Sequence, residues 1–115
     1  MVMKLNKNPS TIFWEDFMII ELNSQNFDNE IKNGLKLVEV YTSWCGYCKQ
    51  QKAELEQMDK VWIGIVDADK SPDIAKKYQV SGFPTFLVFK NGKNIDRFSG
   101  LRDKEEIMSK LMQHL

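Results

Sequence analysis

Hydrophobic and polar positions alternate in blocks along the chain, and these blocks predict strands and helices in turn. Apolar and β-branched runs predict five strands, at 18–23, 36–42, 61–68, 85–90 and 94–99. The segments between and after them have helical spacing and predict helices at 24–33, 45–59, 71–78 and 103–115. The resulting order, β-α-β-α-β-α-β-β-α, predicts an α/β domain with a mixed sheet between helices.

Polar residues at the predicted helix ends support these boundaries. Ser24 is expected to cap the first helix, which Gly34 ends. Ser71 is expected to cap the third helix, with Pro72 at its first position. In the last helix, an apolar stripe is expected to face inward and comprises Ile107, Leu111 and Met112.

The composition is typical of one soluble domain, with 115 residues of which 43% are hydrophobic and 28% charged. Sixteen basic residues balance sixteen acidic ones, so no net field attracts nucleic acid or an acidic membrane. No apolar run approaches the roughly 20 residues of a membrane-spanning helix. Glu15 and Asp16 interrupt the one candidate secretion signal. We therefore expect a cytoplasmic protein with no membrane or nucleic-acid partner.

Residues 1–17 precede the first predicted strand, and the α/β arrangement does not require them. The segment carries four large hydrophobic side chains, Ile12, Phe13, Trp14 and Phe17. We predict that residues 1–17 form a short arm or helical turn that packs on the edge of the domain at 18–115. We expect the protein to be a monomer. The alternative is a docking or dimer-forming patch, and Met18 is an alternative start of the protein.

The chain has two cysteines, Cys45 and Cys48, within the segment SWCGYCKQQ. A structural disulfide is disfavoured, because so short a loop gains little from closure and because cytosolic disulfides are usually transient or catalytic. A closed zinc site needs four ligands, and His114 is the one further soft candidate. A metal shared between two chains stays open as an alternative.

The predicted strand and helix on either side of the cysteines favour redox chemistry. A helix that begins near Cys45 places the first sulfur at the helix N-terminus, where unpaired N–H groups and the helix dipole stabilise a thiolate. Cys48 lies three residues further on, on the same helical face and within disulfide reach. We predict that Cys45 attacks and that the more buried Cys48 resolves the mixed disulfide, with no cofactor or metal beyond this pair.

Three features of the sequence together resemble the thioredoxin family. They are VEVYTSWCGYCK at 38–49, SGFPTFLVFKNGK at 81–93, and Gly100. The resemblance extends from about Met18 to the C-terminus, and it implies the thioredoxin fold, a central mixed β-sheet flanked by helices. It also implies that residues 44–48 form the active site.

The resemblance assigns roles to residues around the cysteines. Phe83-Pro84 matches the family's cis-proline turn, which lies against the sulfurs, removes a backbone donor there, and leaves the polar backbone groups of Phe83 free for an extended substrate. A flat apolar rim around Cys45 is then expected to bind protein clients. The rim comprises Trp44, Gly46, Tyr47, Phe83, Pro84, Gly100 and Leu101.

Glu39 occupies the position where thioredoxins carry a buried aspartate and protein disulfide isomerase domains a glutamate. A carboxyl within the run LVEVY is expected to be desolvated, which raises its pKa. It could then accept the proton of Cys48 through a water molecule. An inactive Glu39 that points outward is the alternative. The family's lysine partner for this acid falls at Ile65, so no tuning cation is expected.

Two residues near the cysteines depart from the family pattern. Tyr47 replaces the usual proline, and Gly-Tyr resembles the bacterial disulfide isomerases of the periplasm, so the direction of electron flow stays open. Tyr47 could equally serve as a contact surface for clients. Ala53 replaces the proline that kinks the active-site helix, and the segment from Cys48 to Pro72 is several residues short. We therefore expect a straighter, shorter helix.

The resemblance implies thiol–disulfide oxidoreduction. We expect a reductase of disulfide-bearing client proteins, kept reduced by a thioredoxin-reductase-type electron donor. Its catalytic residues are expected to be Cys45, Cys48, Glu39 and Pro84. The alternatives are a disulfide isomerase or oxidase, a glutaredoxin-like activity, which a tyrosine before the second cysteine favours, and a non-catalytic adaptor with incidental cysteines.

Overall fold

The computed structural model of the chain describes residues 11–13, 18–58 and 61–115. Within these ranges the chain forms six strands and four helices. In chain order they are β1 (Thr11–Phe13), β2 (Met18–Leu22), α1 (Phe27–Ile31), β3 (Leu35–Tyr41), α2 (Gly46–Leu55), β4 (Trp62–Asp67), α3 (Pro72–Lys77), β5 (Thr85–Lys90), β6 (Lys93–Ser99) and α4 (Lys104–Met112). From Met18 onward this is the predicted order, and the predicted α/β class is confirmed.

The strands form one mixed sheet in the order β1-β2-β4-β3-β5-β6. The neighbours β2, β4 and β3 run parallel, whereas β5 is antiparallel to β3 and β6 is antiparallel to β5. β3 lies between β4 and β5, and its residues 37–40, which alternate between the two faces of the sheet, are all buried. The start of β5 pairs with the end of β3, at Thr85 and Val40. The turn before β5 therefore lies beside the loop that leads into α2.

Helices cover both faces of the sheet, and alternate residues of β3 contribute to two cores. Val38 and Val40 belong to the core beneath α1 and α3. Leu37 belongs to the core beneath α2 and α4. Glu39 is on the same face of β3 as Leu37, so it faces α2 and the cysteines rather than α1.

The N-terminal arm contributes a strand to the sheet. Residues Thr11–Phe13 form β1 and pair antiparallel with β2, with Thr11 opposite Ile20 and Phe13 opposite Met18. The sequence predicted an arm or helical turn on this edge, and here the arm is extended. Residues 1–10 and 14–17, which include Trp14 and Phe17 of the predicted docking patch, lie outside the described residues.

The predicted N-terminus of α1 is wrong. The N-cap position is Asn26 rather than Ser24, because Asn23 organises the preceding turn through its side chain. Its Oδ1 accepts hydrogen bonds from the N–H groups of Gln25 and Asn26, at 2.9 and 3.0 Å. The hydroxyl of Ser24 donates instead to a carboxylate oxygen of Asp73 in α3, at 2.7 Å. α1 also ends earlier than predicted, at Ile31.

The prediction that Met112 packs inward is wrong, since its side chain is 62% exposed. Ile107 and Leu111, four residues apart on one face of α4, are buried as predicted. The following position is turned about 100° away from this face and lies in the last turn of a helix that ends earlier than predicted. None of the helices that the structure describes is long and apolar enough to span a membrane.

Candidate active site

The two cysteines lie where β3 leads into α2. Cys45 is the N-cap residue of α2, and its Sγ accepts a hydrogen bond from the N–H of Cys48 at 3.1 Å. This is the predicted position of the first sulfur. N–H groups at a helix N-terminus favour a thiolate over a thiol, so the geometry suits Cys45 to be the attacking sulfur. α2 ends at Leu55, four residues before the end predicted from the sequence.

Cys45 and Cys48 form a disulfide, and their Cα atoms are 5.2 Å apart. Cys45 is 7% exposed and Cys48 is 6% exposed, so Cys48 is the more buried residue, as predicted, although the difference in the oxidised pair is very small. The two sulfurs differ in their surroundings instead. Cys45 lies next to the Phe83-Pro84 turn, whereas Cys48 lines a cleft that contains Glu39.

The Phe83-Pro84 turn lies against the first sulfur. The peptide bond between Phe83 and Pro84 is cis, as the resemblance implied. The carbonyl oxygen of Phe83 is 3.5 Å from Cys45 Sγ, and the carbonyl oxygen of Pro84 accepts a hydrogen bond from the N–H of Gly100 at 2.9 Å. Segments far apart in the sequence therefore converge on the disulfide.

Part of the predicted rim is exposed next to Cys45. Trp44 and Tyr47 are 68% and 62% exposed, and Leu101 is also exposed. Gly46 is exposed, Gly100 is half-buried, and Gly100 has φ +89°, a left-handed conformation that favours glycine. Trp44, Gly46 and Tyr47 are next to the cysteines in the chain, and Gly100 contacts the Phe83-Pro84 turn through its N–H.

Pro84 departs from the predicted rim, because its side chain is buried. Phe83, which precedes it, is half-buried, and its ring packs edge-on against the ring of Trp44, with centroids 5.9 Å apart. The indole N–H of Trp44 donates to Asp69 at 3.0 Å. Asp69 was not predicted to lie at this site, because it belongs to no recognisable motif.

Glu39 is buried under α2, and only 4% of it is exposed. Burial raises its pKa from 4.5 to about 8. Within the described residues, Glu39 Oε2 has no hydrogen-bond partner. Directly opposite on β4 lies Ile65, so no cation stands at the family's lysine position. The predicted desolvated carboxyl is confirmed, and the alternative of an outward-facing Glu39 is wrong.

A cleft of about 340 Å³ connects Glu39 with Cys48. Thr42 also lines it, and its buried Oγ1 has no hydrogen-bond partner in the described part of the chain. The ammonium-bearing side chains of Lys49 and Lys52 lie on the α2 side of the cleft. A cleft with two unpaired buried oxygens is suited to water.

Gln51 is a further buried polar residue near the site that the sequence analysis did not single out. Its amide forms two hydrogen bonds with the backbone of Arg102. A signal was available, because Gln51 lies three residues after Cys48 and so shares the buried face of α2. The sequence gives no sign of its partner, which is 51 positions away.

Comparisons with known proteins agree with this fold and site. The family model for thioredoxin matches residues 18–113. The thioredoxin of Chlamydia caviae is 38% identical over 101 residues, which are 84% of this chain and 99% of that protein. The thioredoxin of Staphylococcus epidermidis is 36% identical over 102 residues, which are 84% of this chain and 98% of that protein.

Solved structures give the same result. Mitochondrial thioredoxin 3 of Saccharomyces cerevisiae matches with a TM-score of 0.74 at 32% identity, over 83% of this chain and 94% of that one. The thioredoxin of Fasciola hepatica matches with a TM-score of 0.69 at 33% identity, over 79% of this chain and 90% of that one. With its disulfide at the start of α2, this chain belongs to the thioredoxin family and is a thiol–disulfide oxidoreductase.

Proposed function

We propose that this protein reduces disulfide bonds in client proteins and is returned to its dithiol form by a thioredoxin-reductase-type electron donor. The observation that carries the proposal is the position of Cys45 at the N-cap of α2, beside an exposed apolar surface. Contiguous apolar surface on a small domain is typical of a protein-binding site. The proposed compartment is the cytoplasm, where thiols are kept reduced.

The reaction begins with the reduced pair. The Cys45 thiolate attacks one sulfur of the client disulfide, which forms a mixed disulfide and releases the other client sulfur as a thiolate. Cys48, once deprotonated, attacks Cys45 Sγ, so that the Cys45–Cys48 disulfide forms and the second client thiolate leaves. Two electrons pass to the client, and its two thiolates take up protons from solvent.

Glu39 is the proposed acceptor of the Cys48 proton, through water in the shared cleft. Only the ionised carboxylate accepts a proton, and the pKa of Glu39, raised to about 8 by burial, lies close to the value of about 8.5 of an ordinary cysteine thiol. Acids of similar pKa exchange a proton with little change in free energy. The absence of a cation at Ile65 is consistent with this match, since a cation would stabilise the carboxylate and lower its pKa.

Client binding is proposed at the exposed apolar surface. An extended client segment would lie across Trp44 and Tyr47 and pair with the backbone of Phe83, in the manner of strand addition. Pro84, buried behind Phe83, shapes the floor of this site rather than its surface.

Reduction of insulin disulfides by dithiothreitol tests the proposal. The wild type is expected to accelerate the reaction, Cys45→Ser to be inert, and Cys48→Ser to accumulate a mixed disulfide with insulin that a non-reducing gel detects. Equal inactivity of the wild type and both variants would support a non-catalytic adaptor instead.

Isomerase or oxidase activity is the second candidate, because the Gly-Tyr pair between the cysteines resembles that of bacterial periplasmic disulfide isomerases. The reduction potential of the pair separates the two, since thioredoxin has about −270 mV, protein disulfide isomerase about −180 mV and the oxidant DsbA about −120 mV. We expect a value near the first. Efficient re-reduction by glutathione alone would point to a glutaredoxin-like activity.

A further inference from the structure

Gln51 has no exposed surface and lies in the middle of α2, one turn after Cys48. Its Oε1 accepts a hydrogen bond from the N–H of Arg102, and its Nε2 donates to the carbonyl oxygen of Arg102, both at 2.8 Å. One amide thus pairs both backbone groups of a single residue. Burial of an amide costs free energy unless its polar groups form hydrogen bonds. The pairing with Arg102 therefore compensates for the burial of Gln51.

The residues next to Arg102 reach the active site. Gly100 lies two positions earlier, and its N–H donates to the carbonyl oxygen of Pro84 at 2.9 Å. The preceding carbonyl, that of Phe83, is 3.5 Å from Cys45 Sγ. The contacts therefore run from α2 through residues 100–102 and the Phe83-Pro84 turn back to Cys45, as a closed ring around the disulfide.

Two other groups of hydrogen bonds hold the ends of this segment, but neither joins residues 100–102 to α2. The guanidinium of Arg102 donates to the carbonyl oxygen of Ser99 at the end of β6, at 2.9 and 3.1 Å. Glu54 of α2 accepts a hydrogen bond from the N–H of Lys104, at 2.8 Å, in the first turn of α4. Among the hydrogen bonds of the described residues, those of Gln51 are the ones that join α2 to residues 100–102.

We propose that Gln51 is a positioning residue for exchange with protein disulfides. By fixing the backbone of Arg102, it holds Gly100 and Leu101 in place at the exposed surface beside Cys45. The inference rests on the proposed function, in which this surface binds protein clients. Among the hydrogen bonds of the described residues, none joins Gln51 to either sulfur, so we expect it to act on client binding and to leave the chemistry of the disulfide unchanged.

Gln51→Met tests the inference, because methionine has a similar length and cannot pair with the backbone. We expect the KM for insulin to rise about fivefold, as for the loss of about one net hydrogen bond, with kcat unchanged. The rate with a small disulfide, 5,5′-dithiobis(2-nitrobenzoic acid), is expected to stay the same. Hydrogen exchange at the amide of Arg102 is expected to accelerate, which reports directly on the lost bond.

Gln50→Met is the matched control, because Gln50 is the exposed neighbour on the same helix. It is expected to match the wild type with both substrates. Gln51→Glu is a second variant whose ionised side chain can accept from Arg102 but cannot donate to it. The protonated acid can do both, so its insulin KM relative to wild type is expected to fall as the pH is lowered.

The outcomes distinguish the inference from the proposed function. An unchanged insulin KM in folded Gln51→Met overturns the inference, as does an equal loss with both substrates. Should Gln51→Met fail to fold, a pH-independent KM ratio for Gln51→Glu overturns it. A wild type that reduces the small disulfide but not insulin overturns the proposed function, and the inference with it.

Discussion

The buried carboxyl group of Glu39 lowers the unfolding free energy of the protein at alkaline pH. Its pKa is raised by burial from 4.5 to about 8, so the folded protein holds this proton more tightly than the unfolded chain does. Below pH 4.5 both states are protonated, and Glu39 does not make stability depend on pH. Between 4.5 and about 8 the unfolded chain loses the proton first, so stability falls as the pH rises.

Glu39→Gln is expected to remove this pH dependence. In oxidised protein, where the cysteines do not titrate, the wild type is expected to lose up to about 1.4 kcal/mol of unfolding free energy per pH unit relative to the variant. Urea unfolding at pH 5, 6, 7 and 8 measures the difference. If the unfolding free energies of the two proteins changed with pH in the same way, Glu39 would have an ordinary pKa.

The same variant tests the catalytic role of Glu39. Insulin reduction by Glu39→Gln is expected to be slower at neutral pH while the fold stays intact, because glutamine cannot accept the Cys48 proton. Trapping of the mixed disulfide during turnover locates the defect at the resolving step. Kinetics equal to the wild type would remove Glu39 from the mechanism.

Single residues of the site were predictable where the cause is local. Glu39 lies within an apolar strand, so its burial follows from the pattern around it. The position of Cys45 at a helix start follows from the flanking strand and helix. The contacts of Trp44 with Asp69 and of Gln51 with Arg102 join residues 25 and 51 positions apart. Only the folded chain brings such partners together.

At the scale of the elements, the strands were predicted more accurately than the helix ends. The bounds of β3, β4 and β5 follow from apolar runs that are largely buried in the sheet. A helix end depends on which side chain reaches the free N–H groups, and here several candidates compete. At α1, the turn that Asn23 organises moves the N-cap from Ser24 to Asn26. Asp103 caps α4 in a capping box with Glu106 that was not predicted from the sequence.

Asp103→Ala is expected to lower the unfolding free energy by about 1 kcal/mol, because its side chain accepts the N–H of Glu106 at 2.9 Å. Asp103→Asn keeps an acceptor and is expected to stay within a few tenths of a kcal/mol of the wild type. Ser71→Ala is a control at an N-cap position whose side chain makes no cap hydrogen bond. Urea unfolding of the three variants gives the comparison, and an equal loss in Asp103→Ala and Ser71→Ala would contradict it.

At the scale of the whole molecule, the candidate active site is assembled from four parts of the chain. They are the end of β3, the start of α2, the Phe83-Pro84 turn and residues 100–102. All lie within residues 18–113, which the thioredoxin family model matches. The hydrophobic pattern predicted the order of the elements. That these parts of the chain come together was expected only from the resemblance to the thioredoxin family. The pairing of the arm with β2 was not predicted, because a three-residue strand carries too little pattern to detect.

Removal of residues 1–17 is expected to leave insulin reduction within about twofold of the full chain, since the candidate site lies entirely in the remaining domain. The loss of the β1–β2 pairing is expected to lower the unfolding free energy by about 1–3 kcal/mol, through a few backbone hydrogen bonds. Urea unfolding and the insulin assay measure the two effects. Unchanged stability with a raised insulin KM would support the arm as a docking segment instead.

The position of β1 also affects whether another polypeptide can pair with the edge of the sheet. An exposed strand edge is a template on which another polypeptide can add and aggregation can begin. In the part of the chain that the structure describes, β1 covers one edge of the five-residue β2 with a strand of three residues. The opposite border, β6, carries Lys93, Asp96 and Arg97, and such charges disfavour pairing with a second sheet. We therefore expect the described edges of the sheet to disfavour edge-to-edge pairing between copies of this chain, independently of its sulfur chemistry.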